Sequence, residues 1–155
     1  MLKIKNWITA LLLSNLVFLS STGMAQEFNA NVDSLGNIVL PDDFRKELTH
    51  LGSWFVADGD ASGFHDVYTE SSAVDAFRRN GAFPDGATLV KELRAHTTAP
   101  YTTGANVSFA NQQLKQWFVM IKDSQGRFEQ NPVWGDGWGW ALFKPENPTK
   151  NLATD

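Results

Sequence analysis

Two neighbouring stretches near the end of the chain decide the fold: Phe118-Val-Met-Ile-Lys-Asp-Ser-Gln-Gly-Arg-Phe128 and Trp134-Gly-Asp-Gly-Trp-Gly-Trp-Ala-Leu-Phe143. In the first stretch, Val119 and Ile121 alternate with Phe118 and Met120, so both faces of a strand would be apolar and the strand buried. Residues 123–126 are then typical of a tight hairpin turn. The pair of stretches therefore predicts two antiparallel strands joined by a short turn.

The glycines of the second stretch allow two interpretations. Strand alternation separates glycines from tryptophans, with Gly137, Gly139, Ala141 and Phe143 on one face and Trp138, Trp140 and Leu142 on the other. A glycine inside a strand marks the close approach of a ligand or of another part of the protein. A flat ligand on the bare face would make Gly137 and Gly139 binding residues. Tight packing of another element would give them a structural role.

Lys91 is the charged residue that most needs an explanation. In the strand predicted for residues 87–95, alternation places Lys91 on the same face as Leu89 and Leu93. A buried ammonium is costly unless it is paired. We therefore expect Lys91 to point toward the apolar interior. It would be a reactive amine there, unless it reaches to solvent or guards a sheet edge.

The remaining pattern predicts an α+β domain, with a predominantly antiparallel sheet and two short helices packed on it. We expect helices over residues 43–51 and 73–80, with Gly81 closing the second, and a loop over residues 99–106. The predicted strands cover residues 36–40, 53–57, 64–68, 87–95, 114–122 and 137–144.

Composition excludes several function classes. The chain has no cysteine, which removes disulfides, thiolate metal sites and a cysteine nucleophile. A net charge of −4 argues against nucleic acid or an anionic membrane as partner.

His50, His65 and His96 lack a metal-ligand spacing, and we expect His65 to be a core histidine. The acidic stretch over residues 58–63 matches half of a calcium loop but lacks its closing glutamate, which favours a solvated turn.

The first 25 residues have the features of a cleavable signal peptide. Lys3 and Lys5 precede an apolar run over residues 8–19, and Gly23 and Ala25 suit a cleavage site. We expect cleavage after Ala25, export to the periplasm, and a single domain over residues 26–155. A retained N-terminal anchor is the alternative, although the run is shorter than the ~20 residues of a membrane span.

Five segments together resemble the cytochrome P-460 family, and they occur in the family's order. They are Leu40-Pro-Asp-Asp-Phe-Arg45, Leu51-Gly-Ser-Trp54, Phe64-His-Asp-Val-Tyr68, Phe83-Pro-Asp-Gly-Ala-Thr-Leu-Val-Lys-Glu-Leu93, and Phe118 through Phe143. The resemblance implies an antiparallel sheet with packed helices. It also implies one c-type haem, attached through a C-x-x-C-H motif near the C-terminus. The implied ligands are hydroxylamine or nitric oxide, and the implied partner is a periplasmic electron acceptor.

The same resemblance assigns the site residues. Lys91 matches the lysine that hydroxylamine-oxidising members cross-link to haem, which makes it the candidate catalytic residue. The haem pocket would be lined by Leu89, Leu93, Phe118, Met120, Gly137 and Gly139. Oxidising members carry a carboxylate where this chain has Phe118. That difference favours a gas-binding pocket, as in the related cytochromes c′-beta, over proton transfer.

The absence of cysteine conflicts with covalent haem. Residues 150–155 resemble the stretch just before the attachment motif, so we expect a C-terminally incomplete domain that has lost the motif by truncation or by natural loss. Such a chain would carry no covalent haem and would be redox-inactive. The alternatives are a haem-free periplasmic module that binds a small apolar or planar ligand, and an inert fragment. The oligomeric state stays open, with a homodimer among the options.

Overall fold

The computed structural model describes residues 28–154. The predicted signal peptide lies outside these residues. The described elements, in chain order, are helix α1 (Phe44–Glu47), strands β1 (Thr49–Val56) and β2 (Gly63–Thr69), helix α2 (Ser71–Asn80), and strands β3 (Thr88–Tyr101), β4 (Gly104–Lys122), β5 (Trp134–Gly135) and β6 (Trp138–Phe143).

The six strands form one open sheet with the order β1-β2-β3-β4-β6-β5. Every neighbouring pair is antiparallel. The predicted α+β class, with an antiparallel sheet and two short helices, is confirmed. In the described part of the chain, neither helix is long and apolar enough to cross a membrane.

One face of the sheet carries the closed hydrophobic core. Across it, Val90 pairs with Val119 and Val119 with Ala141, and the two valines are fully buried. The chain before β1, the loop before β5 and β5 itself cover this face. They contribute the buried residues Ile38, Phe44, Val133 and Trp134. Core formation therefore depends on irregular segments as well as on the sheet.

One carboxylate is buried on this core face. Glu92 is 1% exposed. Its oxygens accept hydrogen bonds from the guanidinium groups of Arg45 and Arg94 and from the indole N–H of Trp117. A buried charge is tolerable when paired and hydrogen-bonded in this way. These hydrogen bonds connect α1 to the central strands β3 and β4.

The tight turn predicted at residues 123–126 is wrong. Asp123 is buried, and its carboxylate accepts the backbone N–H groups of Gln125 and Arg127. The chain then continues through a loop to β5 before it returns as β6. This longer loop places Trp134 on the core face, where its indole packs against Gly139 of β6.

The loop predicted over residues 99–106 is also wrong. β3 continues to Tyr101 and β4 starts at Gly104, so the two strands form a long hairpin. Cross-strand contacts support it, including Tyr101 against Phe109 and a hydroxyl hydrogen bond between Thr98 and Ser108. Such pairs stabilise a ladder even where small residues make the local strand propensity low.

The predicted helices differ in outcome. The second runs from Ser71 to Asn80, and Gly81 ends it in the left-handed conformation (φ 70°), as predicted. The first is shorter than predicted and spans four residues, because the chain from Thr49 onward pairs with β2. The strand predicted over residues 36–40 is reduced to an isolated bridge between Val32 and Ile38.

Candidate ligand recess around Lys91

Sheet pairing brings the candidate site together on the face opposite the closed core. Residues paired across an antiparallel sheet project to the same side. Lys91 pairs with Val67 of β2 and with Phe118 of β4. One row further along, Leu89 pairs with Met120, and Met120 with Trp140. The two rows place apolar side chains from four strands around one amine.

These side chains line a recess of about 240 Å³, which we call the Lys91 recess: Trp54, Val67, Leu89, Lys91, Phe118, Met120 and Trp140. Its volume is slightly below the range of about 300–1,000 Å³ typical of small-ligand sites. Trp54 and Trp140 stand at its rim and are 46% and 45% exposed. Large apolar side chains left open to solvent in one patch indicate a binding surface.

Lys91 is held by aromatic rings rather than by a carboxylate. Its Nζ lies 4.0 Å from the ring centroid of Phe118 and 5.9 Å from that of Trp54. Among the described residues, it makes no hydrogen bond or ion pair. Burial lowers the pKa of the Lys91 amine, because the recess solvates the ammonium poorly. The amine is therefore a better nucleophile and ligand than a solvated lysine.

The apolar surface continues beside the recess. Phe118 and Trp140 also border a neighbouring groove of about 300 Å³, which is completed by Leu142, Leu152 and Ala153. The C-terminal segment is fixed there, since the backbone N–H of Leu152 donates to the carbonyl of Leu142. The open face thus offers two adjoining apolar hollows that share one aromatic wall.

The alternation of side chains predicted for β3 is correct, but the face that carries Lys91 is not the closed interior. Val90 and Glu92 point into the closed core, at 0% and 1% exposed. Lys91 points the other way, into the half-open recess. The prediction failed on this point because both faces of the strand are apolar, so alternation alone does not tell which face is covered. Leu93 is fully buried in a third row, paired with His65, and does not line the recess.

The glycines predicted as binding residues lie outside the recess. A Cβ on Gly139 would sit 2.6 Å from ring atoms of Trp134, so the bare face is covered by that indole. Gly137 lies at the turn before β6, where a Cβ would meet the Nζ of Lys122 at 2.7 Å. Tight packing, the alternative that the sequence left open, is therefore what the structure shows. The predicted residues that the structure does bring together are Leu89, Lys91, Phe118 and Met120.

His65 is buried, as predicted, but it lies on the Lys91 side of the sheet and not in the closed core. It is 4% exposed, its Nε2 lies 2.8 Å from the carbonyl oxygen of Ala61, and its Nδ1 has no hydrogen-bond partner among the described residues. The ring of Trp54 stacks on it at 4.8 Å. His65 thus supports the position of a rim residue. The described chain holds no cluster of three or more acidic or histidine residues that could bind a metal.

Sequence reasoning missed Trp54, Val67 and Trp140 as recess residues. Their alternation within each strand was visible, but their convergence depends on how β1, β2 and β6 pair with the central strands. Trp140 carried one usable signal, because it lies on the tryptophan face of the Trp-Gly repeat. Patterns within a single strand do not determine the pairing register between strands.

The recess fits a flat group but not thioether attachment. Its aromatic walls and apolar floor match a planar, largely apolar molecule. Two of its side chains could bind a metal, the Lys91 amine when deprotonated and the Met120 thioether. A c-type haem also needs cysteine sulfur, and the 155 residues contain none. The residues present therefore suit non-covalent binding.

The chain was also compared with known protein families and curated proteins. The family model for cytochrome P-460 matches residues 41–155. The matched segment includes every residue of the Lys91 recess. A search of curated proteins finds no match to the chain.

Proposed function

The chain belongs to the cytochrome P-460 family, and we propose that it is an exported domain that binds a flat, largely apolar group in the Lys91 recess. In the family that group is haem. The observation that carries the proposal is the amine of Lys91 placed 4.0 Å from the Phe118 ring inside an apolar recess. A lysine without a carboxylate partner is costly there, which favours a role in binding.

The residues present define what the site does. Trp54, Phe118 and Trp140 supply stacking surface, and Lys91 supplies one polar contact. Haem, when bound, supplies an iron centre that takes up nitric oxide or accepts electrons from hydroxylamine. Phe118 offers no carboxylate to move a proton, so gas binding suits the recess better than hydroxylamine oxidation. We propose that the 155-residue chain holds no covalent haem and has no redox turnover of its own.

A second function follows from the donor set. The recess contains neither a thiol nor an imidazole among its lining residues. A haem-free module that binds another planar ligand would use the same walls. The two functions differ in ligand and agree on the site.

A haemin titration tests the proposal. We expect a Soret band that saturates with the wild-type chain and a haem stain that disappears after denaturing electrophoresis. Met120→Glu places a carboxylate in the recess and should weaken haemin binding at least about tenfold, or about 1.4 kcal/mol. Gln116→Glu is the matched control, because it adds the same charge to β4 outside the recess.

Three outcomes separate the possibilities. A stain that survives denaturation contradicts the non-covalent proposal. Saturable binding that Met120→Glu and Gln116→Glu leave equal contradicts the recess as the site. Absence of haemin binding, with recess-dependent binding of another planar dye, supports the haem-free module. Export is tested separately by the mass of periplasmic protein, which should begin at Gln26.

A further inference from the structure

The Lys91 amine differs in its surroundings from Lys46 and Lys115. Lys46 pairs with Asp43 at 2.9 Å. Lys115 donates to two backbone carbonyl oxygens at 2.7 and 2.9 Å. Lys91 contacts only aromatic rings with its Nζ, and an apolar recess opens beside it. An amine in such a place loses hydration and gains no acceptor in return.

We propose that Lys91 captures uncharged aromatic aldehydes as an imine in this recess. This inference shares the Lys91 recess with the proposed function but does not require haem. The amine nitrogen attacks the aldehyde carbon and forms a carbinolamine. Loss of water from the carbinolamine then forms the carbon–nitrogen double bond. No electrons enter or leave. The ammonium releases its proton to solvent before the amine attacks, and water leaves when the double bond forms.

The recess favours this class of aldehyde on two grounds. First, the rings of Trp54, Phe118 and Trp140 offer stacking surface to a flat ring, and such contacts are favourable beyond the area they bury. Second, an imine at Lys91 is neutral, so the condensation removes a charge that the recess solvates poorly. A charged substituent on the aldehyde would have no partner, since the lining contains no other ionisable group. Burial also lowers the pKa of the Lys91 amine, which leaves more of it in the nucleophilic form.

The test uses the full 155-residue chain, benzaldehyde and borohydride, which reduces the imine to a stable secondary amine. Peptide mapping by mass spectrometry then locates the benzyl group. We expect the Lys91 peptide to carry most of the label in the folded protein and to lose that preference in urea. Lys91→Arg keeps the charge but should lose this label. Lys122→Arg is the matched control, since Lys122 lies 4.9 Å over the ring of Trp138 on the same sheet, and it should keep it.

The outcomes distinguish this inference from the proposed function. Label spread evenly over the lysines of the folded chain overturns the inference, as does preferential labelling of Lys91 by propanal to the same extent. Mapping on the wild-type chain settles these points even if a variant fails to fold. Saturable haemin binding with even labelling overturns the imine and leaves the proposed function in place. Preferential labelling of Lys91 by benzaldehyde without haemin binding overturns haem as the ligand and leaves the imine in place.

Discussion

Replacement of Gly139 by alanine tests whether the bare face of β6 is filled by protein or open to a ligand. A Cβ at this position would lie 2.6 Å from two ring atoms of Trp134, closer than real contacts allow. The indole cannot easily yield. It is 8% exposed, its N–H donates to the carbonyl of Gly36 at 2.8 Å, and Phe128 packs on it with ring centroids 4.4 Å apart.

The magnitude follows from comparison with Gly135, its neighbour on β5. A Cβ on Gly135 would meet no atom within 4 Å. Both alanines reduce the entropy of the unfolded chain by the same amount, worth about 0.4–1 kcal/mol. This contribution cancels between the variants. The remaining difference is the cost of overpacking, about 1–3 kcal/mol, so Gly139→Ala should be the less stable variant by that amount.

Urea unfolding followed by tryptophan fluorescence measures the difference. With a slope of about 2 kcal/mol per molar urea, the two midpoints should be separated by about 1 M. Haemin affinity serves as the second readout, and we expect Gly139→Ala to leave it unchanged in the folded protein. Equal midpoints together with weaker haemin binding in Gly139→Ala would refute the reasoning and make the glycine face the ligand face.

Three further predictions concern charged groups. Glu92→Ala should lower the free energy of unfolding by about 2–3 kcal/mol, which is the contribution of its charged hydrogen bonds. Arg45 is 46% exposed, so its guanidinium can return to solvent in the variant. Urea unfolding checks this. The hydrogen bond from Arg127 lowers the pKa of Asp85. The part of the destabilisation in Arg127→Met that comes from this pair, at most about 1 kcal/mol, should therefore be present above pH 3.8 and vanish as pH falls through the lowered pKa, as acid unfolding curves of both proteins would show. Burial lowers the pKa of Lys91 below its ordinary 10.5, so Lys91 loses its proton at a lower pH in the folded chain than in the unfolded chain. The stability of the wild type should therefore rise relative to that of Lys91→Met as pH approaches 10.5. Unfolding curves taken from neutral to alkaline pH measure this difference.

Alternation within strands could be predicted from the sequence. The faces assigned to Lys91, Phe118 and Trp140 all agree with the structure, because side-chain direction in a strand depends on a period of two alone. The antiparallel α+β class followed from the spacing of these strands and the turn residues between them.

Which face is covered could not be predicted in this way. Both faces of β4 are apolar, and the cover on the core face comes from irregular segments that carry no periodic signal. Trp134 shows the difficulty, because it lies five residues before Gly139 and packs on it as part of β5, a strand that the sequence analysis did not predict. Trp54 entered the recess through strand pairing, which is a non-local property.

The central claim is that the ligand face is the Lys91 face and not the Trp–Gly core face. Indole N–H resonances of the protein with paramagnetic haemin test it directly, because the iron broadens only nearby signals. The signals of Trp54 and Trp140, at the rim of the recess, should broaden and disappear on haemin addition, while that of Trp134, buried under β6, should persist. Loss of the Trp134 signal with those of Trp54 and Trp140 unchanged would contradict the account.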